Sequence, residues 1–516
     1  MTLFVKAIGY AAAGWKKGID SRMNPNKIPM LSKSKYLAGL QCPLRLWHQC
    51  YNLHLASPVS PAQQALFDTG HEVGKLATQL YSNGILVETD PFRHEQAIGK
   101  TLKAMQDPLV KAIFEASFSH DAVRVKVDIL ERSGGGKWNL IEVKSSTSVK
   151  NEYLPDVGVQ YLVLKGSGLE VDRVTLLHLN NQYVYDGNEL DLNQLFTASD
   201  LTQETLACQG EIAVKLGEFK GILGNPDPPE ITPSRHCFHP FECEFLEHCS
   251  QVLPEHWIVA LAGIGRSKLD ELTAIGVLDI RDIPQAFSLT EIQERIKRCV
   301  QYNMEYVSGD LRDELEAVEY PIHFLDFETL GLAIPRYVGT RPYQSVPFQW
   351  SDHVLHEDGR VEGLEYLCEE DKDPKEEFAR TLLDALGPKG SIITYTTYEE
   401  GIIKGLAEEL PQYREPLLAT LGRVKDLHEI IRKHYYHPEF HGSFSLKAVV
   451  PALLPEMDYA NLIVQEGQQA GLEYLRVIDP STPANEREKI REALLAYCGH
   501  DTLVMIKIRE KLLSRC

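Results

Sequence analysis

Residues 122–146 constrain the fold more tightly than any other stretch of the chain. AVRVKVDIL (122–130) alternates apolar and polar residues. Val123, Val125, Val127 and Ile129 therefore share one face of a strand, and Arg124, Lys126 and Asp128 share the other. A polar turn, Arg132-Ser133-Gly134-Gly135-Gly136-Lys137, leads into WNLIEVKSS (138–146). The pattern predicts a β-hairpin that buries Ile141 and Val143 and brings Asp128 close to Glu142 and Lys144.

Two carboxylates forced together repel unless a cation joins them. Mg²⁺ binds through one or two carboxylates plus phosphate oxygens. A neighbouring lysine stabilises charge that develops during reaction. The hairpin thus offers Asp128 and Glu142 as ligands for Mg²⁺ or Mn²⁺ and Lys144 as a catalytic group. Taken alone, Glu-x-Lys is common and reads more readily as a solvated surface pair.

The chain has 516 residues, enough for two to four domains at roughly 100–200 residues each. An apolar content of 43% with 24% charged residues excludes wholesale disorder. Apolar runs fall far short of the ~20 residues of a membrane span, and the N-terminal residues show no cleavage pattern. The expectation is a cytoplasmic chain without a membrane partner. A net charge of -20 argues against a general polycation but leaves room for local basic contacts. The first 55 residues carry eight Lys and Arg against Asp20 alone.

The fold class expected is α/β multidomain. Residues 1–29 read as an extension, with Met23 and Met30 as alternative starts. A mixed helix and strand domain spans 30–250, a Gly-punctuated helical module 251–304, a charged linker 305–319, and a second α/β domain 320–516.

Cys237, Cys243 and Cys249 recur at equal spacing in HCFHPFECEFLEHC. Thiolates are soft ligands suited to zinc or to iron–sulfur clusters. The segment lacks the short Cys knuckle usual for zinc. A fourth ligand is needed, and Cys42 in QCP is the natural candidate. Farther on, ALAGIGRSKLDELTAIG (260–276) places Gly263 and Gly265 at a turn before a helix carrying Arg266 and Lys268. Backbone N–H groups at such a turn hold phosphate without reading sequence.

A second site lies near the C-terminus. HFLDFETL (323–330) is an apolar strand bearing Asp326 and Glu328 at i, i+2, on one face. SIITYTTYEEGIIKGL (391–406) reads as a buried strand, a turn and a helix. EALLAYCGHDTLVMIKI (492–508) is helical, so Tyr497 and Asp501 share a face. Two metals held there, about 4 Å apart, would activate water and stabilise a leaving oxygen.

These motifs resemble known nucleases. Asp128, then Glu142-Val143-Lys144, then Gln160-Tyr161, together with LSKSKYLAGLQCPLRLW (31–47), resembles the RecB-type branch of the PD-(D/E)xK nucleases, over roughly residues 31–250. The resemblance implies a restriction-endonuclease-like fold, metal ligation by Asp128 and Glu142, and catalytic roles for Lys144 and Gln160. It also implies a [4Fe–4S] cluster on Cys42, Cys237, Cys243 and Cys249, with Zn²⁺ as the alternative. The family's tyrosine falls at position 164, which is Leu here. Its metal-binding histidine falls at Gly74, with His71 the nearest substitute. Residues 260–276 resemble a helix-hairpin-helix.

The C-terminal motifs resemble the DEDD 3′–5′ exonucleases, which have an RNase H-like fold. Asp326 and Glu328 match the first motif, and Tyr497 and Asp501 match the third. In the second, Thr396-Thr397-Tyr398-Glu399, Glu399 stands for the usual Asp and the Asn is missing. Asp426 is a further acidic candidate. RPYQSVPFQW (341–350) and GSFSLKAVVPALLP (442–455) resemble a bacterial family that joins two such halves. The function implied is phosphodiester hydrolysis of DNA or RNA, in DNA repair or defence against foreign DNA. The alternative is a nucleic-acid-binding scaffold with one or both sites inactive.

Overall fold

The computed structural model describes residues 28–88 and 93–516. The expected extension lies almost wholly outside the described residues. The chain is mixed α/β and divides into two compact units, residues 1–183 with 188–252, and residues 184–187 with 253–516. Among the described residues no helix is long and apolar enough to cross a membrane.

The first unit is built on a seven-stranded sheet. Its strands are β1 (Leu31–Ser32), β2 (Gly84–Leu86), β3 (Ala112–His120), β4 (Val123–Gly134), β5 (Lys137–Lys144), β6 (Val171–Leu179) and β7 (Phe196–Asp200). The order is β2-β3-β4-β5-β6-β7, with β1 added parallel to the start of β4. β4 and β5 form the expected antiparallel hairpin. The strands run farther than the polar turn predicts, and only Gly135 and Gly136 turn the chain, both with positive φ. Glycine alone adopts that conformation without strain.

One burial expectation is corrected. Glu142 is 1% exposed, whereas Val143 is only half-buried. The alternation rule assumes one wet face, but the helix Tyr153–Gly166 contacts β3, β4, β5 and β6, covering the polar side.

The second unit carries a five-stranded sheet: β9 (Ile322–Leu330), β10 (Val346–Leu355), β11 (Val361–Leu367), β12 (Ile392–Thr394) and β13 (Val424–Asp426), in the order β11-β10-β9-β12-β13. The first three strands are antiparallel, and β12 runs parallel to β9 and β13. The long helix Ala484–Leu513 packs on β9 and β10.

Residues 305–319 are not a bare connector. They contain β8 (Tyr306–Val307), which pairs with β14 (Tyr435–Tyr436), and the helix Leu311–Glu316, which packs on the long helix. Nor do residues 253–304 stand apart. Ile258, Leu269, Leu272, Ile296 and Val300 share one core with Phe324, Leu427, Val504 and Met505. Local sequence patterning marks helices there, but it does not show where their apolar faces are buried. The element before Gly263 is a 3-10 turn, Ile258–Ala260, instead of a full helix.

Candidate functional sites

The hairpin strands part at Asp128. Cα pairing with β5 ends at Ile129 and Ile141, and Asp128 Oδ2 instead accepts the Val143 N–H at 2.8 Å. The opening exposes a box of charged groups to the helix Tyr153–Gly166. Gln160 Nε2 donates to Glu142 Oε2 at 2.7 Å and to Asp156 Oδ1 at 3.1 Å. Lys144 Nζ lies 2.7 Å from Glu142 Oε1 and 2.6 Å from Asp156 Oδ2. Asp128, Glu142, Lys144 and Gln160 therefore come together as the sequence suggests. Asp156 joins them, one helical turn before Gln160, a spacing that sequence reasoning could have used.

Lys33 is the second unforeseen member. It begins the helix Lys33–Gln41, which is capped by Ser32 of β1. Its Nζ lies 2.7 Å from Glu142 Oε1 and 3.2 Å from Asp156 Oδ1. Burial and Glu142 push the Asp128 carboxyl up to about 7. Burial would raise Glu142 too, but Lys33 and Lys144 hold it well below the usual carboxylate range. His71 is exposed on the helix Pro61–Thr78, and among the described residues it joins no cluster of metal-ligand groups. A Cβ at Gly74 would meet nothing.

The cysteines converge from two distant segments. Cys42 breaks two helices, Lys33–Gln41 and Pro43–Tyr51. Residues 236–244 are tied to these helices by Gln41, whose Nε2 reaches the His236 and Phe241 carbonyls, and by Arg45 and Gln49, which both reach the Glu244 carboxylate. All four thiols are unpaired by disulfides. Burial raises each of them, Cys243 to about 12 and Cys249 to about 11, and Cys42 adds to the shift at Cys237, Cys243 and Cys249. No three of their sulfurs lie within 4.8 Å of one another.

The second unit holds the tightest cluster. Among the described residues, Asp326, Glu328 and Asp501 alone form a group of potential metal ligands within 4.8 Å of one another. β9 supplies the first two from one face, and the long helix supplies Asp501. Burial and mutual repulsion push Glu328 up to about 8, and burial raises Asp501 to about 6. Such a group could hold a metal ion.

Glu399, in the first turn of the helix Tyr398–Glu409, is 3% exposed, and its Oε2 has no hydrogen-bond partner. Burial holds it at about 8, and its charge adds to the repulsion on Asp326 and Glu328. Tyr497 is buried, and its phenol is raised by burial and by Asp501, Glu328 and Asp326.

Two more residues at this centre escaped sequence reasoning. Tyr459 donates to Asp501, and the Cys498 thiol lies 3.4 Å from Asp326 Oδ2. Asp426 has another task. Its Oδ1 accepts from Thr396 N at 3.0 Å and from Glu429 N at 3.3 Å. It caps a helix and holds Thr396 at φ +90°, a rare conformation for a β-branched residue.

This stretch is similar to a family described as Domain of unknown function (DUF2779), matched over residues 323–445. The matched residues include Asp326, Glu328 and Glu399 but stop short of Tyr497 and Asp501. No curated protein matches the chain. A solved structure described as "Crystal structure of SSO0001" aligns at 13% identity, covering 37% of this chain and 78% of that one, with a TM-score of 0.17.

At the remaining predicted site, Gly263 has φ +65° and Gly265 caps the helix Arg266–Ala274. Arg266 is exposed, and its Nε lies 3.7 Å from Asp270. Lys268 is half-exposed on the same helix.

Proposed function

We propose that this chain is a cation-dependent nuclease that hydrolyses phosphodiester bonds of DNA or RNA. The observation that carries the reading is the convergence of Asp326, Glu328 and Asp501 on one point, with Tyr497 one helical turn away. In this reading the second unit is RNase H-like, with 3′–5′ exonuclease character. Its sheet, three antiparallel strands extended by two parallel ones, supports that assignment. The first unit is a restriction-endonuclease-like domain of the RecB type, and Gly263 to Lys268 grip the backbone.

The mutually repelling carboxylates fit Mg²⁺ or Mn²⁺, with Asp326, Glu328, Asp501 and Glu399 as ligands. When bound, such cations lower the pKa of water and neutralise charge on the leaving oxygen. The protein's own part is to hold that water and to exclude bulk solvent. Tyr497 would orient the nucleophile, and Glu399, whose Oε2 has no hydrogen-bond partner, would supply a further carboxylate. In the first unit Asp128 and Glu142 are the ligands, Lys144 stabilises the phosphate, and Gln160 orients Glu142. The four cysteines would hold a [4Fe–4S] cluster in this reading, with Zn²⁺ as the alternative. The role proposed for the cluster is a structural clasp. DNA repair or defence against foreign DNA is the setting this chemistry suits.

The test uses the purified full chain on end-labelled single and double strands of DNA and RNA with Mg²⁺ or Mn²⁺. Asp326→Ala and Lys144→Ala assign the cleavage to each unit. A wild-type chain that degrades no substrate with either metal overturns the reading. A nucleic-acid-binding scaffold with one or both sites inactive is the second reading, and the exposed position of His71 favours inactivity in the first unit.

A further inference from the structure

A cleft of about 500 Å³ lies in the second unit next to the carboxylate centre. That size falls within the roughly 300–1,000 Å³ of small-molecule sites. One wall is a single face of the helix Tyr398–Glu409, made by Gly401, Ile402, Gly405 and Leu406. Ser345 and Pro347, at the entry to β10, stand opposite. The two glycines create the space, since a Cβ built at either one meets nothing within 4 Å. Glycine weakens a helix interior, yet two of them lie one turn apart on the face that lines the cleft.

The cleft begins at Thr397 and Tyr398, the two residues before Glu399. The Tyr398 hydroxyl lies 2.5 Å from Thr329 Oγ1, and Thr329 follows Glu328 in β9. That bond ties the tyrosine to the strand that carries the carboxylates, while the residue stays 45% exposed.

The charges of the lining show which part of a nucleotide suits it. Lys375 and Glu409 line the far end and pair with each other at 2.5 Å. The second Glu409 oxygen accepts Gln344 Nε2 at 2.6 Å. Among the described residues no unpaired cation lines the cleft, so nothing there compensates a phosphate. Its walls are apolar at Pro347, Ile402 and Leu406, and Tyr398 offers a ring on which a base stacks. Ser345 and Thr397 add exposed hydroxyls. A hydroxyl both donates and accepts, so these two groups suit any base edge.

We propose that this cleft is a nucleoside subsite, which takes the base and sugar of one nucleotide of a single strand and leaves the phosphates outside. This rests on reading the second unit as a nuclease. The subsite selects unpaired strands, because a base held in a duplex is not free to enter. It has no sequence preference, because its polar contacts are hydroxyls.

The test uses the full chain with Asp326→Asn and Asp501→Asn, in EDTA, so that nothing is cut. Fluorescence anisotropy measures its affinity for a short single-stranded oligonucleotide that carries one abasic nucleotide, moved along the strand position by position. Loss of the base at one position should weaken binding roughly tenfold, as the loss of one stacked base predicts. Gly405→Leu, which fills the cleft, should weaken binding of the intact strand by a similar factor and make the scan flat. Leucine is the better helix former, so the helix should persist. Gly405→Ala, which adds only a Cβ in open space, should keep the position-dependent loss.

A flat scan in the parent, or a loss that survives Gly405→Leu, overturns the proposal. Cleavage by the chain with Asp326 and Asp501 intact is scored separately. If that chain cuts and the scan is flat, the subsite fails and the nuclease reading stands. If it cuts nothing while Gly405→Leu still abolishes the loss, the nuclease reading fails and the subsite stands.

Discussion

The Tyr459 hydroxyl donates to Asp501 Oδ1 at 2.5 Å, linking the loop after residue 455 to the carboxylate centre on the long helix. This bond favours the ionised form of Asp501 and opposes burial. Tyr459→Phe should raise the Asp501 pKa above its present value of about 6. Mn²⁺ must then displace a proton at neutral pH, and affinity at pH 7 should fall roughly tenfold, as loss of one hydrogen bond to a charged group predicts. The deficit should shrink at pH 9, where the carboxyl is ionised in either protein. Tyr497→Phe should leave Mn²⁺ affinity unchanged and slow cleavage instead. Calorimetry at the two pH values separates the roles.

The stability of the cation-free chain should depend on pH in an unusual direction. Glu328 and Glu399 are held at about 8 against an ordinary value of 4.5. Between those values the folded chain binds more protons than the unfolded one, so stability falls as pH rises. The contribution is complete below 4.5 and is lost as pH passes 8. Urea melts in EDTA at pH 6, 7, 8 and 9 should show midpoints that descend, and Mn²⁺ should flatten the series. Midpoints that climb with pH would contradict the burial of these carboxyls.

For the cysteines, protein purified without air should show broad visible absorption. Single replacements of Cys42, Cys237, Cys243 or Cys249 by Ser should abolish it, and Cys208→Ser should not. Colourless protein carrying stoichiometric zinc would rule out an iron–sulfur clasp.

The backbone grip proposed for Gly263–Lys268 predicts a salt signature. Arg266→Ala and Lys268→Ala should each lower the slope of log affinity against log salt by about 1, with the same loss on every sequence. Fluorescence anisotropy on two unrelated duplexes suffices. A loss confined to one sequence would mean base reading and not phosphate contact.

The parts of these sites that sequence reasoning reached are those set by local period. Asp326 with Glu328, Tyr497 with Asp501, and the Asp128–Glu142 hairpin each lie within one element or one turn of chain. Lys33, Asp156 and Tyr459 escaped because their relevance is tertiary. Nothing in LSKSKY shows that Lys33 lands on a carboxylate 109 positions later. Asp156 was within reach, four residues before Gln160 on one helical face. Val143 was misjudged for a physical reason, since a strand covered on both sides no longer sorts apolar from polar residues by alternation. Asp426 shows the converse, an acidic residue near a site that is used up as a cap.

The meeting of the Cys42 helices with residues 236–244 has a consequence for the order of synthesis. The helices around Cys42 leave the ribosome early, yet the sulfurs they face arrive only with residues 237–249. At ~5–20 residues per second this wait is on the order of 10–40 s. For most of it Trp47 and Leu46, buried in the finished unit, lack the helix Gln209–Leu223 and Asn225, which lie against their helices. The N-terminal helices are thus the first part of the unit to be made and among the last to be completed. A nascent chain halted before residue 209 would present an apolar helical pair with the thiols of Cys42 and Cys50, a natural target for chaperones.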